Sequence, residues 1–259
     1  MQEKTGQGAR VKGERVAIDE VAVKAFFSHR HEKKLPHRLN YTNYQDAHPD
    51  LALERDAAEK EKILPLLSLH PGMRVLDIGC GVGRWCEAVL AAGADYIGVD
   101  YTQSFLDIAS EAQPADSHCT WVCSDFQHVE EALQKAGLAE PFDCIIVNGV
   151  FVYVNDEDIP LCLSQMDRLL ARGGIAYLKE SASRTERLTL DGIYSEELTS
   201  DYSAIYRGIQ EYAAYWKNCL PGYRVLKEGE PWQDLAIRKE TTAYAWILQK
   251  QDEAGERTS

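Results

Sequence analysis

Between Met73 and Asp100 the chain reads Met-Arg-Val-Leu-Asp-Ile-Gly-Cys-Gly-Val-Gly-Arg-Trp and, after a helical stretch, Ala-Asp-Tyr-Ile-Gly-Val-Asp. No other stretch limits the possible folds so severely. Val75, Leu76 and Ile78 form a short apolar run between Pro71-Gly72 and a set of glycines, the pattern of a strand buried in a parallel sheet. Gly79, Gly81 and Gly83 allow a tight turn and close approach of the backbone to a ligand. Residues 82–92 then carry apolar side chains at helical spacing and stop at Gly93, a favourable helix C-terminus. A second apolar strand, 96–99, ends on Asp100. The spacing predicts a β-α-β unit with a ligand at the helix N-terminus and a carboxylate at the tip of the second strand.

The same spacing narrows the ligand. A dinucleotide turn reads G-x-G-x-x-G, whereas here the third glycine comes one position early and Arg84 follows it. Asp77 sits on the strand just before the first glycine, where a carboxylate would repel a pyrophosphate. It suits a ligand with a positive charge nearby, such as the amino or sulfonium group of S-adenosylmethionine. Asp100 would accept hydrogen bonds from a ribose diol. These residues closely resemble motif I and the acidic loop of the class I S-adenosylmethionine-dependent methyltransferases, and the resemblance spans roughly 51–248.

The resemblance implies an α/β fold: a Rossmann-like, seven-stranded methyltransferase sheet with helices on both faces. It divides the chain into an N-terminal helical extension and cap (1–50), the methyltransferase domain (51–248) and a charged tail (249–259). A helical lid insertion is expected after the fifth strand, at 183–219. The implied cofactor is S-adenosylmethionine, with S-adenosylhomocysteine as product. Its expected contacts are Asp77, Gly79, Gly81, Asp100 and the adjacent Tyr101, with Asp125 for the adenine amine, Phe126 packing on the base and Asn148 at the start of motif IV. Asp125 has a second reading, as the N-cap of a helix over 129–136.

Composition acts as a filter on partners. A formal net charge of −13 opposes a long nucleic-acid partner, which needs clustered lysine and arginine. No apolar run approaches a membrane span and the first residues hold no signal-peptide core, so a cytoplasmic protein that does not enter the membrane is expected. Seven cysteines are an odd count without a C-x-x-C pair, which reads as reduced thiols. Cys119 and Cys123 are the one pair weighed as zinc ligands, and no metal site is expected.

The remaining patterns predict helices over 17–34, 51–69, 101–111, 129–136 and 156–171, and strands over 119–123, 142–147 and 175–179. A loop is expected over 184–194, a helix over 195–219, and paired closing strands over 223–227 and 241–248. Glu180, at the end of the fifth strand, reads either as a general base or amine anchor or as a salt-bridged rim carboxylate. Tyr202 and His37 are the substitutes for that base, and Tyr41, Tyr44, Tyr194 and Tyr206 are candidates to close over an acceptor. The tyrosine stripe has a plainer reading as helix packing.

Methyl transfer from a sulfonium to a lone pair needs no protein nucleophile. Alignment of donor and acceptor is worth ~7–11 kcal/mol and a placed base roughly 10²–10⁴-fold. The expectation is a monomeric or homodimeric N- or O-methyltransferase of a small-molecule acceptor. Phe26-Phe27 to Arg30 and Tyr44-Gln45-Asp46 look like small-molecule methyltransferases of surface-polysaccharide or secondary-metabolite pathways. Lys179-Glu180 followed by Ser200-Asp201-Tyr202 is similar in layout to protein α-N-terminal methyltransferases, which keeps a protein or peptide acceptor open. A non-catalytic S-adenosylmethionine-binding partner subunit is the third reading.

Overall fold

A computed structural model describes residues 8–42, 48–114, 117–232, 235 and 238–252. The chain runs β1 (Ala9–Lys12), α1 (Glu20–Arg30), a 3-10 turn (Arg38–Tyr41), α2 (Asp50–Leu67), β2 (Arg74–Ile78), α3 (Cys86–Ala91), β3 (Asp95–Asp100), α4 (Gln103–Glu111), β4 (Cys119–Cys123), α5 (Val129–Lys135), β5 (Phe142–Asn148) and α6 (Ile159–Leu169). Its second half is β6 (Leu170–Ser183), β7 (Leu188–Ser195), β8 (Ser200–Tyr206), α7 (Ile209–Cys219), β9 (Tyr223–Gly229) and β10 (Thr241–Lys250).

Seven strands form one sheet in the order β4-β3-β2-β5-β6-β10-β9. The first five are mutually parallel, while β10 runs antiparallel to both β6 and β9. The near-continuous apolar runs follow from burial on both faces. Leu76, Ile78, Ile145 and Val147 pack towards α5, α6 and α7. Val75, Cys144 and Ile146 pack the other way, towards α2 and α3. Alternate side chains of a strand point to opposite sides, so a strand covered twice has no polar face to show.

The helical lid expected at 183–219 is corrected by the structure. That stretch forms the hairpin β7–β8, with β1 added antiparallel to β7 as a third strand, and only then the helix α7. Tyr202 and Tyr206 are four apart, which mimics a helical stripe, but Leu188-Thr-Leu and Ser203-Ala-Ile-Tyr pack as extended segments over a third apolar cluster against α1. Gly208, with an extended backbone, starts α7 at Ile209. Residues 9–12, within the expected N-terminal helical extension, are instead the strand β1.

The segment between β1 and α2 crosses the ligand edge of the sheet and is fastened on both sides of α1. Before it, the Asn155 side chain accepts from the Ile18 N–H at 2.9 Å and donates to the Ile18 carbonyl at 3.2 Å. After it, Arg30 donates to the carbonyls of Tyr41 and Asn40, each at 2.8 Å. Arg38 reaches back to the carbonyl of Val82 at 2.8 Å, tying the 3-10 turn to the glycine loop. Among the described residues no helix is long and apolar enough to cross a membrane.

Candidate active site

At the carboxyl edge of the parallel strands lies a cleft of about 260 Å³. Its floor is the glycine turn and the tips of β3 to β6. Val23, Lys24 and Phe27 of α1 form one wall, and Tyr202 and Tyr206 of β8 form part of another.

The turn after β2 is built for contact. Gly79 has φ +72° and donates its N–H to the Val99 carbonyl at 2.7 Å. Gly81 has φ +54°, and a Cβ built on it would lie 2.5 Å from Thr42 Cγ2. Asp100 is locked beneath the turn: one oxygen accepts from Gly81 N–H at 2.9 Å, the other from Thr102 N–H at 2.8 Å. Burial raises its pKa against those bonds. Asp77, 2% exposed, accepts from the Tyr96 hydroxyl at 2.7 Å, and burial lifts its pKa to about 6.

Further along the edge, Asp125 stands between Lys24 Nζ at 3.1 Å and His128 Nδ1 at 2.5 Å. Burial opposes its charge, but the hydrogen bonds from His128 and Lys24, with the Lys24 ammonium, hold its pKa below the usual value. Its side chain makes no cap bond to the turn that follows, so the N-cap reading is not realised. Phe126 is buried against Phe151, ring centroids 5.5 Å apart, and still lines the cleft. Tyr101 lines it too, packed edge-on by Phe27 with centroids 6.0 Å apart. Asn148, with its amide oxygen towards Arg84 and Trp85, accepts at 3.1 and 2.7 Å. A glycine cradle, a fixed carboxylate and a carboxylate–phenylalanine pair lie in sequence along one cleft. That set fits a nucleoside carrying an amino-acid arm.

The expected catalytic residues separate. Glu180 is 0% exposed, and its carboxylate accepts from the backbone N–H of Val150 at 3.0 Å, Phe151 at 2.9 Å and Val152 at 3.3 Å. Burial lifts its pKa to about 7. It lines the cleft and anchors the segment after β5, and among the described residues it forms no ion pair, so the salt-bridged rim carboxylate does not describe it. Tyr202 joins a row of phenols: its hydroxyl lies 2.8 Å from Tyr153 and accepts from Tyr206 at 3.2 Å. His37 does not line the cleft; its Nε2 lies 3.3 Å from Asp50. Tyr41 turns its hydroxyl to the Lys33 carbonyl at 3.0 Å, and Tyr194 is 61% exposed away from the cleft. Tyr44 falls outside the described residues. Tyr206 lines the cleft, 4% exposed.

A buried charge network on α2 is the largest feature that sequence reasoning missed. Glu59, 1% exposed, takes Arg84 at 2.6 Å, Lys179 at 2.8 Å and the Tyr177 hydroxyl at 2.6 Å. Arg84 also pairs with Asp56 at 2.6 Å. Burial opposes the Glu59 charge, yet Arg84 and Lys179 bring its pKa down to about 2. The available signal was two acids, Asp56 and Glu59, in register with the buried Ala52, Ile63 and Leu67 of one helix face. Arg55, Trp232 and Arg238 complete the cleft wall near Lys179 and the phenols.

Comparison with known proteins agrees with this geometry. A family model described as a methyltransferase domain matches residues 76–176. Phosphoethanolamine N-methyltransferase 1 of Zea mays is 25% identical over 130 residues, which cover 50% of this chain and 25% of the relative. The ubiquinone biosynthesis O-methyltransferase of Rhizobium etli is 30% identical over 163 residues, 62% of this chain and 58% of that protein. The chain thus spans a quarter to somewhat over half of these relatives' lengths. Among solved structures, Haemonchus contortus phosphoethanolamine N-methyltransferase 1, in complex with phosphoethanolamine and S-adenosylhomocysteine, superposes with a TM-score of 0.68 at 17% identity, covering 93% of this chain and 50% of that one.

Proposed function

Because the chain carries a class I S-adenosylmethionine-dependent methyltransferase domain, we propose that it methylates a nitrogen or oxygen of a small-molecule acceptor. The observation that carries this reading is the cleft at the carboxyl edge, with Gly81 and Asp100 at its floor and the phenols of Tyr153, Tyr202 and Tyr206 on its wall, crossed by a fastened α1. A walled cleft supports a small acceptor over a protein one. The free thiols are in keeping with a reducing compartment, the cytoplasm.

The roles follow from the contacts. Asp100 would take the ribose hydroxyls, Asp125 and Phe126 the adenine, and Asp77, Asn148 and the Gly79–Gly81 turn the amino-acid arm. When bound, S-adenosylmethionine would supply an activated methyl group on a sulfonium, with a neutral thioether as its leaving group. The chain holds the acceptor in line, excludes water with α1 and presents hydroxyl donors. Burial and its neighbouring phenols raise the Tyr202 pKa well above the usual value, so the residue stays protonated and positions the acceptor by donating. An acceptor amine attacks in its neutral form and gives its proton to water after transfer, so a nitrogen acceptor requires no carboxylate base. Glu180 serves as a positioning residue for the segment 150–152.

Calorimetry with S-adenosylhomocysteine tests the reading, with one site per chain expected. Asp100→Ala should weaken binding by about 1–3 kcal/mol through lost charge-assisted hydrogen bonds. Undiminished affinity in that variant would take Asp100 out of the ribose role. A panel of amine and phenol acceptors that released no S-adenosylhomocysteine would leave the non-catalytic reading in its place.

A further inference from the structure

The cations on the cleft wall divide into those already engaged and one that is open. Arg84 is held by Asp56 and Glu59, and Lys179 by Glu59. Arg55 donates Nε and a terminal nitrogen to the Leu235 carbonyl, at 3.1 and 2.6 Å. Arg238 lines the same cleft with Tyr202 and Tyr206, its side chain is exposed, and among the described residues it makes no hydrogen bond or ion pair. Glu197 bears on the charges of both Arg55 and Arg238 without forming an ion pair with either. The chain as a whole carries −13, so a guanidinium left open on the wall of this cleft runs against the average of the molecule.

We infer that Arg238, with Arg55 behind it and the hydroxyls of Tyr202 and Tyr206 beside it, binds an anionic oxygen group of the methyl acceptor, either a carboxylate or a phosphate. A guanidinium offers paired donors that match two oxygens of such a group, a geometry a lysine cannot reproduce. Tyr202, whose pKa burial and the neighbouring phenols raise well above the usual value, adds a neutral donor beside it. Trp232, whose ring lies 4.6 Å from Lys179 Nζ, gives the subsite an apolar flank. Holding the acceptor by a charge remote from its nucleophile would fix its direction of entry without touching the reacting atom. The inference rests on the methyltransferase reading, since that reading makes this end of the cleft the acceptor's.

The test titrates inorganic phosphate and, separately, acetate into S-adenosylhomocysteine-saturated protein, in the wild type, Arg238→Ala and Arg238→Lys. S-adenosylhomocysteine and 5′-methylthioadenosine, which lacks the amino-acid arm, are titrated into the same three proteins. The expected result is a phosphate or acetate affinity that falls at least tenfold in Arg238→Ala and recovers in part in Arg238→Lys, with both nucleosides unaffected. The tighter of the two anions names the group. Loss of S-adenosylhomocysteine but not methylthioadenosine affinity in Arg238→Ala would assign the guanidinium to the cofactor's own carboxylate and overturn the inference. Equal anion affinity in wild type and variant would overturn it as well. If S-adenosylhomocysteine itself fails to bind the wild type, the methyltransferase reading falls, and anion titration of the ligand-free proteins still reads whether Arg238 holds an anion.

Discussion

Lys179 and Glu180 are consecutive on β6 and leave it in opposite directions. The ammonium lies 2.8 Å from Glu59, while the carboxylate turns under the N–H groups of Val150 and Phe151 at 3.0 and 2.9 Å. The alternation of a strand thus sends a cation to the α2 side of the sheet and an anion to the α7 side, within one residue. Each fixes a different wall of the same cleft.

Glu180 makes stability depend on pH. Burial moves its carboxyl from the usual 4.5 to about 7 in the folded protein. A raised folded pKa contributes stability that is full below pH 4.5 and lost as pH rises through about 7. Asp77 adds the same sign between 3.8 and about 6. Urea midpoints of the wild type should therefore include a decline from pH 5 to pH 8 that Glu180→Gln reduces, while the variant loses about 1–3 kcal/mol by mismatching one of the three N–H groups. Superimposable pH slopes for the two proteins would refute this linkage.

Glu59 has the opposite sign. Its folded pKa of about 2 lies below the usual 4.5, so its contribution is present above pH 4.5 and disappears as pH falls towards 2. Glu59→Gln should destabilise the protein by roughly 3–5 kcal/mol at neutral pH, because it leaves Arg84 and Lys179 buried with a neutral partner. Chemical denaturation reads this directly. A loss under about 1 kcal/mol would mean that Asp56 alone satisfies the network.

Tyr202→Phe and His37→Ala make a contrasting pair. The first removes the central hydroxyl of the row formed with Tyr153 and Tyr206. It should lower kcat/KM by about tenfold to a hundredfold, the scale of one lost hydrogen bond to an acceptor, with S-adenosylhomocysteine affinity intact. The second removes a contact with Asp50 outside the cleft and should leave both quantities within about twofold. A collapse of kcat in His37→Ala would reopen its assignment as a base.

What could be read from the sequence was local. The glycine turn, Asp77 and Asp100 lie within 24 residues, and their spacing alone determines the β-α-β unit and the ligand edge. The network around Glu59 was not legible, because Lys179 is 120 positions away and nothing in either neighbourhood names the other. Glu180 was found by its position on the strand, yet the partners that consume it are backbone N–H groups, which every residue but proline has and which leave no mark on a sequence. Residues 200–206 read as helix because two tyrosines four apart fit a helical period as well as they fit alternate positions of a strand.

Asn155 imitates a strand, its side-chain amide meeting both the N–H and the carbonyl of Ile18. With Arg30 fastening the far side, α1 is a wall held at both ends, and a wall of that kind has no free edge to swing on. Admission of ligand then becomes a question of how often one fastening comes undone, so residence time is set by a local opening equilibrium and not by the depth of the cleft. Asn155→Ala should accordingly raise the S-adenosylhomocysteine dissociation rate by roughly tenfold in stopped-flow displacement, with association raised alongside it and the equilibrium constant nearly unmoved. A variant that released ligand no faster than the wild type would show that the cleft has another way in. With the faster release, turnover under product-release control is governed by a residue that touches neither cofactor nor acceptor.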